Sequence, residues 1–242
     1  MFNLKRLLLS ASLIVAPSLY AKINTIVSIV PQKSFVEAIG GDLVNVSVMV
    51  LPGNSPHSYE PKPSQMKELN DAKLYFAIGV EFENAWLKRF ANQNKNMLII
   101  DTAKGIEKIA MAEHHHEEDK HDHKGASKDP HVWTSPSNLR VIAKNTLDAL
   151  VNVDASNKAT YEANYQAFMQ KINSIDNEIQ NILKNTPKGA KFMVFHPAFG
   201  YFATEYNLTQ IAVEVEGKEP KPSALAELIK RSEERRVGKE CR

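Results

Sequence analysis

Cysteine is almost absent from this 242-residue chain: Cys241 is the only one, so no internal disulfide can form and packing alone must hold the fold. The same scarcity leaves no cysteine near the start for lipid attachment. Long hydrophobic runs are missing too. The mostly apolar stretch from Leu7 to Leu19 is about 13 residues, short of the roughly 20 that cross a bilayer. Preceded by Lys5 and Arg6 and followed by Tyr20 and Ala21, it reads as a signal peptide over residues 1–21, removed near Ala21 on export to a periplasm. Charge of one sign is also lacking. The formal +2 comes from Lys5, Arg6 and the basic C-terminal end, and the body between is slightly acidic, which excludes a basic nucleic-acid face. Neither a His-Glu-x-x-His motif nor a Gly-x-Ser-x-Gly elbow occurs, so the chain reads as a non-enzyme.

What is present is alternation. Ile23–Val30 is β-rich, Pro31 opens a helix to Ile39, Gly40-Gly41 closes it, and Leu43–Leu51 is a second strand. A turn-rich loop, Pro52–Pro63, leads to a short helix over Ser64–Asn70, a strand over Leu74–Ile78, a helix around Trp86 and a strand over Met97–Ile100. This order predicts an α/β fold with a parallel sheet flanked by helices. Residues 22–134 form a first lobe, interrupted at 113–129 by a histidine-rich loop with no apolar pattern.

Ser135-Pro136 reads as an N-cap with proline in the first turn, starting a helix to Val151. Tyr161, Tyr165, Phe168, Ile172, Ile175, Ile179 and Leu183, mostly three or four apart, predict a longer helix over Ala155–Lys184, a rod of roughly 45 Å. Residues 135–185 are thus the helical connection. A buried strand Lys191–Phe195, a helix Ala198–Tyr206, a strand Gln210–Val215 and a helix Ser223–Lys230 begin a second α/β lobe over 186–230, with too few elements to be complete. The tail from 231 to 242 loses periodicity and reads as a truncated or out-of-frame end.

Of the eight histidines, His114, His115, His116, His121 and His123 crowd the loop. Nothing in their spacing builds a tetrahedral set, so they are either an auxiliary, weak metal collector or a solvated linker. The other three are His57, His131 and His196, and each adjoins a proline at the end of an element. Proline holds such a side chain at low entropy cost, and ligands of open α/β sheets bind beyond strand carboxyl ends. Read singly, each histidine could cap or pack locally. Together they make a borderline-soft donor set that suits Zn²⁺ and suits Ca²⁺ or Mg²⁺ poorly.

Four phrases carry a resemblance: Leu-Pro-Gly-Asn-Ser-Pro-His-Ser-Tyr-Glu-Pro-Lys-Pro-Ser from Leu51, Asp-Pro-His-Val-Trp-Thr-Ser-Pro from Asp129, Phe-His-Pro-Ala-Phe-Gly-Tyr-Phe from Phe195, and Glu-Gly-Lys-Glu-Pro-Lys-Pro-Ser from Glu216. In this order they resemble the signature blocks of the metal-binding cluster A-I substrate-binding proteins of ABC importers, most like the zinc-uptake type. The resemblance runs from about Ile23 to Lys230. It implies two lobes joined by one long rigid helix, with metal ligands at His57, His131 and His196. Manganese-type members usually carry a carboxylate at the third position. The usual fourth ligand, a carboxylate or water, belongs to a later part of the C-terminal lobe: either water or Glu60 stands in here, or, as the truncated look of the tail favours, the natural protein is longer and this copy is incomplete. The loop resembles the histidine-rich insertion of zinc-type members. The implied role is capture of Zn²⁺ in the periplasm and delivery, as a monomer, to an ABC permease in the inner membrane. A manganese or mixed-metal binder, a periplasmic zinc buffer or adhesin, and a zinc hydrolase are the alternatives.

Overall fold

The computed structural model describes residues 21–56, 58–111 and 128–214. Outside them lie residues 1–20 of the expected signal peptide, His57, the five loop histidines, the block from Glu216, the expected helix over 223–230 and the tail.

The β-branched and apolar runs become strands. β1 (Ile23–Ile29), β2 (Val44–Val50), β3 (Leu74–Ala77) and β4 (Leu98–Asp101) form one parallel sheet in the order β2-β1-β3-β4. A parallel sheet is covered on both faces, so its strands can be apolar throughout. Accordingly β1 is buried from Thr25 onward and all of β3 is buried. Alternate residues feed two cores. Ile26 and Tyr75 pack with Leu69 of α2 (Pro63–Asp71) and with Phe82 and Phe90 of α3 (Glu81–Gln93). Val27 and Phe76 pack instead with Ile39 of α1 (Val30–Gly40), Leu150 of α4 (Pro136–Val153), and Tyr161 and Ile172 of α5 (Lys158–Leu183). α1 stops at Gly41, whose φ of 55° and ψ of −137° a side chain would resist.

This order makes the chain leave β1 toward β2 on one side and return to β3 on the other. The carboxyl ends of β1 and β3 therefore flank a topological switch point, where open α/β sheets bind ligands. Gln32 closes that edge: its Oε1 accepts from the amides of Ser28 and Ile29 at 3.0 and 3.2 Å, and its Nε2 donates to the Phe76 carbonyl at 3.0 Å.

Ser135 caps α4, its hydroxyl accepting from the Asn138 amide at 3.3 Å, with Pro136 in the first turn. α5 follows and runs for 26 residues, about 39 Å at 1.5 Å per residue. Its first half lies on the four-stranded unit: Phe168 packs on Phe35 at 6.1 Å between centroids, and Asn164 Nδ2 donates to the Ile39 carbonyl at 3.0 Å. Its second half reaches a further unit. There β5 (Lys191–Val194) and β6 (Thr209–Ala212) pair in parallel, with α6 (Gly200–Glu205) between them in the chain. Two parallel α/β units and one long helix make up the fold class that the alternation predicts. The strand Lys191–Val194 departs from its expected burial: Lys191 and Met193 are exposed and Phe192 and Val194 half-buried. Among the described residues, two four-residue strands and a six-residue helix enclose too little volume to bury it. No helix among the described residues is long and apolar enough to cross a membrane.

One carboxylate ties the long helix to its neighbours. Asp176 of α5 accepts from Arg140 Nη2 of α4 at 2.5 Å and from the Tyr206 hydroxyl, just after α6, at 2.9 Å. The guanidinium hydrogen bond holds the Asp176 carboxyl below its usual range against the opposing effect of burial. A carboxyl depressed in the folded chain contributes stability that is whole above its unfolded value, about 3.9, and lost as pH falls through the folded value. Asp176→Asn is expected to lower unfolding stability by about 1–2 kcal/mol at pH 7. In urea titrations the gap to wild type should narrow below about pH 4; a gap unchanged down to pH 2 would show that the charge on Asp176 does not matter.

Candidate metal centre

Beyond the ends of β1 and β2 lies a cavity of about 760 Å³, lined among others by Val30, Leu51, Pro56, Ser58, His131 and His196. Each wall is built by local chemistry. Asp129, two residues before His131, turns back on it: Oδ1 accepts from the His131 amide at 2.9 Å and stands 2.8 Å from His131 Nδ1. An aspartate closing on a nearby backbone amide is a common turn device. The His131 side chain is 7% exposed, and Trp133 meets the ring edge-on at 5.4 Å between centroids.

His196 arrives from the other unit. β5 and β6 are in register at Val194 and Ala212, so His196 and Glu214, each two residues on, lie side by side. Glu214 Oε2 stands 2.8 Å from His196 Nδ1, and the Glu214 amide donates to the Phe195 carbonyl at 2.8 Å. The two imidazoles then meet with their Nε2 atoms 3.1 Å apart.

A carboxylate only accepts hydrogen bonds, so each ring in its neutral form holds its proton on Nδ1 and its lone pair on Nε2. When both rings are neutral, two lone pairs face each other across 3.1 Å and repel. A cation between them reverses the sign of the interaction, and two nitrogens on one tetrahedral zinc, each about 2.0–2.1 Å from it, stand roughly 3.3 Å apart.

The loop that carries His57 is anchored on both sides of it. The Pro56 carbonyl accepts from the Phe82 amide at 3.2 Å. Tyr59 is buried edge-on against Phe82, and its hydroxyl donates to Gln65 Oε1 at 2.5 Å. Gln65 Nε2 donates in turn to the Met49 carbonyl, near the end of β2, at 2.6 Å. Glu60 is exposed and is not among the residues that line the cavity, whereas Glu214 is. Among the described residues no three His, Cys, Asp or Glu side chains are grouped so as to hold a metal. Reasoning from sequence passed over Asp129 and Glu214. The signal for Asp129 was its place in Asp-Pro-His, and that for Glu214 an acidic residue at the end of a strand beside the one leading to His196.

α6 fastens the second unit to the turn that bears His131. Glu205 accepts from the Ser135 hydroxyl, from the Ser137 hydroxyl at 2.6 Å and from the Ser137 amide at 3.2 Å. An anion there meets the unpaired amides and positive dipole end of α4.

The family described as zinc-uptake complex component A, periplasmic, matches residues 26–238. The chain belongs to this family. It is 30% identical over 212 residues to the high-affinity zinc uptake system protein ZnuA of Bacillus subtilis, a match covering 85% of this chain and 65% of that protein. It is 28% identical over 224 residues to the manganese ABC transporter substrate-binding lipoprotein scaA of Streptococcus gordonii, covering 88% of this chain and 70% of that one. A crystal structure of ZnuA is similar with a TM-score of 0.78 and 42% identity, covering 88% and 79% of the two chains. The chain thus spans less than two thirds of the Bacillus protein's length.

The Glu205 contact should be measurable apart from any metal. Glu205→Ala is expected to cost about 1–2 kcal/mol in urea unfolding, and Ser137→Ala about half of that. The double variant should be little worse than Glu205→Ala alone; full additivity would mean that the two side chains do not act through one contact.

Proposed function

We propose that this chain is the metal-capturing, non-enzymatic component of an ABC importer: exported to the periplasm, it binds Zn²⁺ between its two units and hands it, as a monomer, to an inner-membrane permease. The observation that carries this reading is the pair of Nε2 atoms 3.1 Å apart, each on a ring tied through Nδ1 to a carboxylate. Imidazole so oriented is a ligand with its tautomer already chosen.

His57 is the third ligand in this proposal. Pro56 and Ser58, on either side of it, line the same cavity as His131 and His196. The metal then joins the part of the chain over 22–134, through His57 and His131, to the part over 186–230, through His196. The helices of 135–185 connect them, and the last position on the metal is left to water or a further carboxylate. A rod-like α5 restricts the units to small relative motions, so release at the permease proceeds by withdrawal of one imidazole from the set, not by wide opening.

Three imidazoles favour zinc over manganese, in agreement with the family's description and with the name of the Bacillus relative. The Streptococcus gordonii protein is named for manganese, which makes the metal an outcome to be measured. Hydrolysis is disfavoured by the same geometry. Asp129 and Glu214, the carboxylates at the two rings, are engaged in holding them, whereas a metallohydrolase needs a base free to activate water.

Zinc titration against a competing chelator tests the reading. His57→Ala, His131→Ala and His196→Ala are each expected to weaken one tight site by roughly 100-fold or more, about 3 kcal/mol. Deletion of 113–127, which keeps Asp129 behind His131, should leave that site within about threefold of wild type. Tight binding that survives all three substitutions and disappears with the loop would overturn the proposal. Equal affinity for manganese would make the chain a mixed-metal binder.

A further inference from the structure

We infer that Gly200 and Tyr201, at the start of α6, are positioning residues for His131 that act through Asp129, so that seating of the second unit decides which nitrogen of an imidazole in the first is free for metal. The inference rests on the reading of His131 as a ligand.

Asp129 is 2% exposed, and its Oδ1 takes both the amide and the Nδ1 of His131. Its other oxygen faces α6. A Cβ placed on Gly200 would lie 2.5 Å from Asp129 Oδ2 and 3.2 Å from Ile109 Cδ1. Gly200 is not among the glycines at positive φ, so its backbone accepts any residue and the contact alone demands glycine. The aspartate cannot easily yield. Its side chain has two torsions, Oδ1 is pinned twice, and turning Oδ2 away would take Oδ1 off the imidazole.

Tyr201 holds the same residue from its backbone side. Its hydroxyl donates to the Asp129 carbonyl at 2.8 Å, while the Asp129 amide donates to the Ile109 carbonyl at 3.0 Å. The tyrosine is 5% exposed and packs within the core of the first unit, although it belongs to α6. Asp129 is therefore gripped by the segment that follows His196. With that grip intact, His131 keeps its proton on Nδ1 and its lone pair on Nε2. With it disturbed, the imidazole is free to take the other tautomer, whose Nε2–H cannot bind a metal.

The experiment pairs zinc affinity with the ¹⁵N chemical shifts of the His131 ring in metal-free protein, for Gly200→Ala, Tyr201→Phe, Asp129→Ala and the doubles with Asp129→Ala. Wild type is expected to show the Nδ1–H tautomer. Gly200→Ala should mix the tautomers and weaken zinc about tenfold, the lower end of what loss of a ligand's hydrogen-bond partner does. Tyr201→Phe, which removes one hydroxyl and keeps the packing, should act in the same direction by about threefold and serves if Gly200→Ala does not fold. In the Asp129→Ala background both further effects should fall below about twofold. An unchanged tautomer in both single variants, or effects that multiply in the doubles, would overturn the inference. If wild type binds no zinc at His131, the functional proposal fails, while the ring shifts still decide whether Gly200 and Tyr201 orient it.

Discussion

A hydrogen bond from imidazole Nδ1 to a carboxylate settles two things at once: the plane of the ring and the nitrogen that carries its lone pair. His131 has that bond from Asp129 and His196 has it from Glu214. Everything else in the structure bears on bringing these two arrangements face to face. The tripeptide from Asp129 to His131 does its part locally, through a turn closed on a backbone amide. The pair His196 and Glu214 needs a sheet, because the two residues are neighbours only when β5 and β6 are in register.

Bringing rings from two units to within hydrogen-bond distance requires that the units not wander. α5 provides the rod, and the polar contacts of Asp176 and Glu205 fix the C-terminal end of α6 on α5 and on the start of α4. These are hydrogen bonds with charged partners, each worth more than a neutral one and each dependent on geometry. Apolar packing supplies most of the stability of the four-stranded unit. The junction between units is held in large part by directional groups, which suits a place where position matters more than strength.

Much of this was legible in the chain. The unbroken apolar runs of β1 and β3 announce a sheet covered on both faces, Gly40-Gly41 marks the end of α1, and Ser135-Pro136 marks the start of α4. The long helix is legible from its spacing. The meeting of His131 and His196 is legible as well, because histidines beside prolines at element ends are few. What sequence does not contain is register. Glu214 has no meaning until β6 is set against β5, and Asp129 before a proline reads as an ordinary turn residue until its carboxylate is seen under the ring. The apolar run Lys191–Phe195 misleads on burial for the same reason, since exposure depends on what lies over a strand. Gly200 is invisible to local rules, being needed for a distant neighbour and not for its own backbone.

The carboxylates behind the rings also determine an electrical balance. Among the described residues, the ion-pair partners of Asp129 and Glu214 are the two imidazoles themselves. With both rings neutral, two negative charges sit a few ångströms behind a pair of uncharged donors in a partly enclosed space, where Coulomb energies are several-fold larger than in bulk water. A guest with two positive charges cancels them; one with a single charge leaves half of the imbalance in place. On the proposed reading of the two imidazoles as ligands, the valence of the ion, as distinct from its size or softness, is thus favoured by the carboxylates behind the rings.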